Sequence, residues 1–175
     1  GCKGMTVYRE GSREGIFIST DAKPKRTEEE TRKLKRPKEL AAKIVRFKNN
    51  NEDWMAFIGT RDGRPYEIFT GKSEGERFPV PGWVENGFIV KNRLPGGVKQ
   101  YDFKYYDKDG YEVTMGGLSR TFNPEFWNYA KMISALLRHE IPIENVVNII
   151  GGLNFSEETI NSWRRAVVRA LHSCI

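Results

Sequence analysis

Two cysteines and two histidines are the residues of this chain with the widest redox and metal-binding chemistry. Cys2 and Cys174 lie at opposite ends of the 175-residue sequence, which is not the spacing of a disulfide framework. We therefore expect two reduced thiols in a cytoplasmic protein. His139 and His172 are not spaced as a metal pair, and neither CxxC nor HExxH occurs. The sequence thus predicts no metal site.

Aromatic and glycine-rich segments offer little more chemistry. Trp54 and Trp163 belong to apolar patterns typical of a core, whereas Trp83 lies in a loop and is the candidate for an exposed binding surface. The run from Gly71 to Ser73 resembles the end of a P-loop, but Tyr66 stands where that motif requires glycine. No nucleophile, base and oxyanion group assemble, so we expect no catalytic residue here.

The net charge of +6 is concentrated in one stretch. Residues 23–48 hold eleven Lys or Arg and four Glu, whereas the rest of the chain is almost neutral. Mixed charge of this kind is typical of a solvated linker, which we favour over a nucleic-acid interface. No apolar run approaches 18 residues, and no apolar segment follows Gly1 to Gly4, so we expect neither a membrane span nor a signal peptide.

The middle of the chain carries the pattern of short antiparallel strands. Alternating or apolar runs begin near residues 43, 54, 66, 87, 100 and 111. Asp62-Gly63 and Asp109-Gly110 are strong hairpin signals, and Asn49 to Asn51 form a further turn signal. The segment 71–86 reads as a loop. We therefore predict about six strands.

Three helices are predicted after the strands. Asn123-Pro124 indicates a capped start, and Pro142 ends that helix and opens the next, which ends at Gly151-Gly152. A third begins near Ser156, with Ile160, Trp163, Val167 and Leu171 on one face. The predicted fold is α+β, an antiparallel sheet of about six strands packed on one side by three C-terminal helices.

Three segments resemble the large subunit of ribonucleotide reductase. The run from Lys3 to Arg13, KGMTVYREGSR, is similar to the last stretch of its catalytic barrel, with Glu10 in place of the usual Asp. Residues 61–69, RDGRPYEIF, look like a hairpin of its C-terminal accessory domain. Residues 132–142, MISALLRHEIP, are similar to that domain's helix-to-helix corner. The family's Thr-Ser-Cys-Pro-Asp string is missing, and residues 71–121 match no family segment.

The resemblance implies a division of the chain and a parent enzyme. Residues 1–18 would be the end of the barrel, 19–42 a charged linker and 43–175 an α+β accessory domain without catalytic activity. Tyr8 matches the first of two adjacent tyrosines that relay a radical in some relatives, but Arg9 follows it. That implies an adenosylcobalamin-dependent parent, with the cofactor held outside this fragment. Family members often end in a cysteine-bearing tail that re-reduces the active site. Here Cys174 alone stands near the end of the sequence, and it is the redox candidate.

The expected partner is the catalytic barrel of the full-length chain, and the resemblance also admits a homodimer of the parent. Two alternatives of other classes stay open. One is a protein- or ligand-binding module that uses loop 71–97 with Trp83. The other is nucleic-acid binding through the basic stretch 23–48.

Overall fold

A computed structural model describes residues 27–30, 35–73, 79–118, 123–156 and 158–175. The chain divides into two units, Gly1–Lys35 and Arg36–Ile175. In the first unit, the Thr27 hydroxyl accepts a hydrogen bond from the Glu30 N–H at 3.2 Å, and the Glu30 carboxylate accepts one from the Thr27 N–H at 2.9 Å. This reciprocal pair is a capping box, which marks the start of a helix. Cys2, Tyr8 and the remaining residues of segment 1–18 lie outside the described residues.

The second unit contains one antiparallel sheet, and the predicted strands are confirmed. Within residues 35–73 and 79–118 the chain forms β1 (Glu39–Asn49), β2 (Glu52–Arg61), β3 (Arg64–Lys72), β4 (Asn86–Arg93), β5 (Lys99–Tyr106) and β6 (Glu112–Met115). Their order across the sheet is β3-β2-β1-β4-β5-β6.

Two tight turns join the first three strands. Asn50-Asn51 connects β1 to β2 and Asp62-Gly63 connects β2 to β3, and all four residues have positive φ angles between 49° and 74°. Such two-residue turns match the right-handed twist of the strands they join, and Asn, Asp and Gly adopt them at low cost. The hairpin predicted at Asp62-Gly63 is confirmed.

Residues 123–156 and 158–175 form three helices, α1 (Pro124–Arg138), α2 (Ile143–Gly152) and α3 (Glu158–His172). The Asn123 side chain accepts a hydrogen bond from the Glu125 N–H at 2.9 Å, and proline occupies the first helical position. Asn123 therefore caps α1 as predicted. The α+β fold with three C-terminal helices is confirmed.

The helices bury one face of β2 and β3. This first core consists of alternate strand residues and the apolar stripes of the helices, and its largest members are Trp54, Ile58, Ile68, Phe126, Leu137, Ile150 and Trp163. Trp54 and Trp163 are 1% and 2% exposed, as expected for core residues. The Trp163 indole N–H donates to the Thr70 hydroxyl at 2.9 Å, which satisfies the one polar atom that the ring buries.

The opposite face of the sheet carries a second core that the sequence pattern did not predict. Its members are mostly aromatic or branched, and include Ile44, Phe57, Phe69, Val84, Ile89, Phe103, Tyr105 and Leu118. Part of the cover comes from the segment before β4, because Arg46 donates to the backbone oxygens of Val84 and Pro81 at 2.9 and 2.8 Å. The segment expected to be a loop is thus partly a packed layer.

The sheet begins earlier than expected. β1 starts at Glu39 and pairs with β4 through Glu39↔Val90 and Leu40↔Ile89, whereas the sequence placed residues up to 42 in the linker. Only Glu39 of the four missed residues is charged. The others include two alanines, which have a low preference for strands, so the sequence pattern did not separate this part of β1 from the charged stretch before it. Within the described residues, no helix is long and apolar enough to cross a membrane.

Candidate functional site

Cys174 lies just after α3 and lines a groove of about 640 Å³ with Lys43, Phe88, Tyr106 and Ser173. The Lys43 ammonium donates to the Ser173 backbone oxygen at 2.7 Å, which holds the end of α3 against β1. A disulfide needs a second thiol, and the only other cysteine of the sequence, Cys2, is outside the described residues. The redox role of Cys174 stays a prediction.

Trp83 is 46% exposed, which confirms the exposure expected of it. Its ring meets Tyr105 edge-on at 6.1 Å between centroids, and the Lys108 ammonium lies 5.6 Å from its centroid. The neighbouring backbone is fixed by Arg46, so the indole is presented from an ordered segment. This arrangement could contact a partner, but a binding role for Trp83 stays a prediction.

The most elaborate polar arrangement is a buried ion-pair network around Glu67. The Glu67 side chain is fully buried, and Arg36, 2% exposed, binds it through Nε to Oε2 at 2.8 Å and Nη2 to Oε1 at 2.5 Å. Arg138 from α1 adds a contact to Oε2 at 3.1 Å. Arg36 also donates to the backbone oxygens of Pro37, Lys38 and Ile89. The Glu67 carboxylate therefore connects the sheet, helix α1 and the segment just before β1.

Sequence reasoning missed this network, although one signal was available. Glu67 lies inside the apolar run Tyr66 to Phe69, and a charged residue in a buried strand must be paired because burial alone would be prohibitive. Space for the carboxylate comes from Gly59, the cross-strand neighbour of Glu67. A Cβ atom at residue 59 would lie 2.8 Å from Glu67 Cγ.

Next to this network the surface becomes strongly basic. Burial lowers the pKa of Lys91, and the nearby charges of Lys99, Arg36, Arg138 and Arg93 lower it further. Elsewhere, charges are compensated. The hydrogen bond from Lys104 to Glu39 raises the pKa of Lys104, and the hydrogen bond from Lys72 lowers the pKa of Glu52. The surface around Lys91 therefore concentrates positive charge.

The histidines show no metal geometry. His139 is the C-terminal cap of α1, and the His172 Nε2 lies 3.8 Å from a Glu144 carboxylate oxygen. In the described parts of the chain, no three His, Cys, Asp or Glu side chains group as metal ligands.

The basic stretch 23–48 is not a uniform linker. Residues 39–48 belong to β1, and Arg36 is fixed by Glu67, so one cation assigned to the solvated linker is a structural residue. Residues 23–26 and 31–34 lie outside the described residues. Arg36 is therefore not available for the alternative role of this stretch in nucleic-acid binding.

The comparisons with known proteins give one match. The family described as the NrdJ homologue C-terminal domain matches residues 40–175, which is most of the chain and all of the sheet and helices apart from Glu39. Neither the search of curated proteins nor the search of solved structures found a match. The chain therefore belongs to the NrdJ homologue C-terminal domain family, a C-terminal region related to ribonucleotide reductase.

Proposed function

We propose that this chain is a non-catalytic accessory domain of a ribonucleotide reductase, which supplies deoxyribonucleotides for DNA synthesis in the cytoplasm. The observation that carries the proposal is the family match over residues 40–175. The barrel-like run from Lys3 to Arg13 supports it, because this run precedes the domain in the order expected of a reductase large subunit.

The proposed layout keeps the end of the barrel at 1–18 and the linker after it. The accessory domain begins with β1 at Glu39 and not at residue 43, so the linker ends earlier than residue 42. The proposed partner is the barrel of the same chain, in a parent that can form a homodimer. Arg36 supports a defined attachment. Its guanidinium is held by Glu67 and by three backbone oxygens, so the chain enters the domain at a fixed point.

We assign adenosylcobalamin to the parent enzyme because Arg9 follows Tyr8, where a radical relay would need a second tyrosine. The cofactor would supply the radical that starts ribonucleotide reduction. The positions of the two histidines support a cofactor site elsewhere in the parent, because His139 ends one helix and His172 lies beside Glu144 of another. We therefore place cofactor binding in the barrel.

The polar groups of the domain support an assembly role over a catalytic one. The buried carboxylate of the network, Glu67, is bound by two guanidinium groups. An acid or base must exchange protons with a substrate, and a carboxylate enclosed by two arginines is poorly suited to that task. Trp83 offers a contact surface for the rest of the reductase, since it is 46% exposed on an ordered segment.

Truncation of the parent enzyme tests the proposal. We expect a parent lacking residues 40–175 to retain single-turnover reduction of a ribonucleotide, measured by quenched-flow product analysis, because the reacting groups lie elsewhere. Assembly or multiple turnover should decline. Full-length enzyme with Trp83→Ala is the matched control for a contact role. Loss of single-turnover chemistry in a truncated enzyme that still binds cofactor would contradict the proposal.

A further inference from the structure

We propose that Lys91, Arg93 and Lys99 form a binding site for a compact polyphosphate group, either inorganic or carried by a nucleotide. These three residues, the basic triangle, lie at the end of the β4–β5 hairpin. The proposal is independent of the accessory role in the reductase. In the free protein the positive charges of the basic triangle repel one another and lower its stability. A bound anionic ligand would compensate these charges.

The strand register places the triangle on one face of the sheet. Lys91 is paired with Tyr101, and Arg93 is paired with Lys99, without a register shift between them. Because side chains alternate along a strand, all four residues project from the same face. Residues two apart along a strand are separated by about 7 Å, and directly opposed residues by about 5 Å. The three cations are therefore close neighbours.

Opposed like charges destabilise a sheet, and Arg93 opposite Lys99 is such a pair. Among the described residues no carboxylate forms an ion pair with Lys91, Arg93 or Lys99. Asp102, the acidic residue of β5, projects from the other face, where it binds Asn92, Gln100 and the Gly117 N–H. Glu67, on the same face, is already bound by Arg36 and Arg138.

Burial strengthens the argument for a ligand. Lys91 is partly buried, and its ammonium lies 6.0 Å from the centroid of the Tyr101 ring, with the Arg36 guanidinium 5.4 Å from the same centroid. Burial and the surrounding cations lower the pKa of Lys91. A bound anion would raise the pKa of Lys91 again, since it would replace the hydration lost on burial and screen the cations from one another.

The shape of the triangle favours a polyphosphate over other anions. A diphosphate or triphosphate places several charges within the span of three neighbouring cations, and the fork of Arg93 suits phosphate oxygens. A single carboxylate would leave two cations uncompensated. A nucleic-acid strand requires a track of cations along its backbone, but this group ends at the turn Pro95–Gly97.

Calorimetric titration of the 175-residue chain tests the site with two probes, inorganic triphosphate and ATP, at about 50 mM salt to limit screening. We expect one ligand per chain, and tighter binding of ATP would identify a nucleotide as the carrier. The variant K91Q/R93Q/K99Q should weaken binding about tenfold or more, because it removes the charge-assisted contacts.

A matched control variant distinguishes binding at the basic triangle from nonspecific electrostatic attraction of the anion to the chain. K131Q/R165Q/R169Q removes the same charge from exposed helix positions and should bind as the wild type does. The triangle variant should melt no earlier than the wild type, because it removes the repulsion between Arg93 and Lys99. Three outcomes would overturn the proposal. They are an absence of binding by the wild type, equal weakening in both variants, and triangle-dependent binding of single-stranded oligonucleotide without binding of triphosphate.

Discussion

Arg36 and Glu67 form a bidentate ion pair in which the two side chains are 2% and 0% exposed. The residues are 31 positions apart, one just before the first strand and the other in the third. The pair therefore joins the segment just before β1 to β3, an edge strand of the sheet. Because both charges are removed from water, loss of the pair should lower the stability of the whole domain.

Glu67→Gln should lower the free energy of unfolding by about 3–5 kcal/mol, because it leaves the buried Arg36 and the partly exposed Arg138 without their counter-charge. Chemical denaturation at neutral pH measures the effect. Asp53→Asn is the control, since the Lys48–Asp53 pair is exposed at 71% and 68% and should contribute no more than about 1 kcal/mol. Equal effects of the two variants would contradict the assigned role of Glu67.

Trp163→Ala should cost about 3–5 kcal/mol, because it creates a cavity between α3 and the sheet and leaves the Thr70 hydroxyl without its donor. Trp83→Ala should leave the melting temperature almost unchanged, since Trp83 is 46% exposed. Thermal melts of both variants side by side make the comparison. An early melt for Trp83→Ala with a normal one for Trp163→Ala would reverse the assignment of core and surface.

Gly87→Ala should destabilise the domain by about 1–3 kcal/mol through overpacking. A Cβ atom there would lie 2.5 Å from the Lys104 backbone oxygen and 2.5 Å from Phe103 Cζ, and a backbone atom cannot move aside cheaply. Gly82→Ala is the matched control, since its Cβ would meet nothing within 4 Å. Denaturant titration of both variants checks the prediction, which fails if Gly87→Ala is neutral.

The isolated chain should neither reduce ribonucleotides nor bind adenosylcobalamin, because we place both functions in the barrel of the parent enzyme. The visible spectrum of the cofactor should stay unchanged during titration with the purified chain. Product analysis with a ribonucleotide and a dithiol should give no deoxyribonucleotide, while the parent enzyme serves as the positive control. Turnover or a spectral shift with the isolated chain would refute this assignment.

Local features of the fold could be predicted from the sequence. The Asp62-Gly63 turn, the Asn123 cap and the apolar stripe of α3 each depend on residues close in the chain. The turn and the cap are confirmed, and so is the stripe at Trp163, Val167 and Leu171, while the Ile160 side chain lies outside the described part of the chain. Turn chemistry, capping and periodicity act over a few residues, so sequence pattern specifies them directly. The resemblance to ribonucleotide reductase also depended on short runs of residues, and the family match supports a relation to that enzyme.

Long-range features were decided by tertiary structure. The pairing of β1 with β4 places Leu40 beside Ile89, and it also brings Arg36 within reach of Glu67 and the Ile89 backbone oxygen. Alternation shows which residues of one strand share a face, but it does not show which strands become neighbours. The second core and the Arg36–Glu67 pair both depend on that choice of neighbours. Only the order of strands across the sheet could determine them.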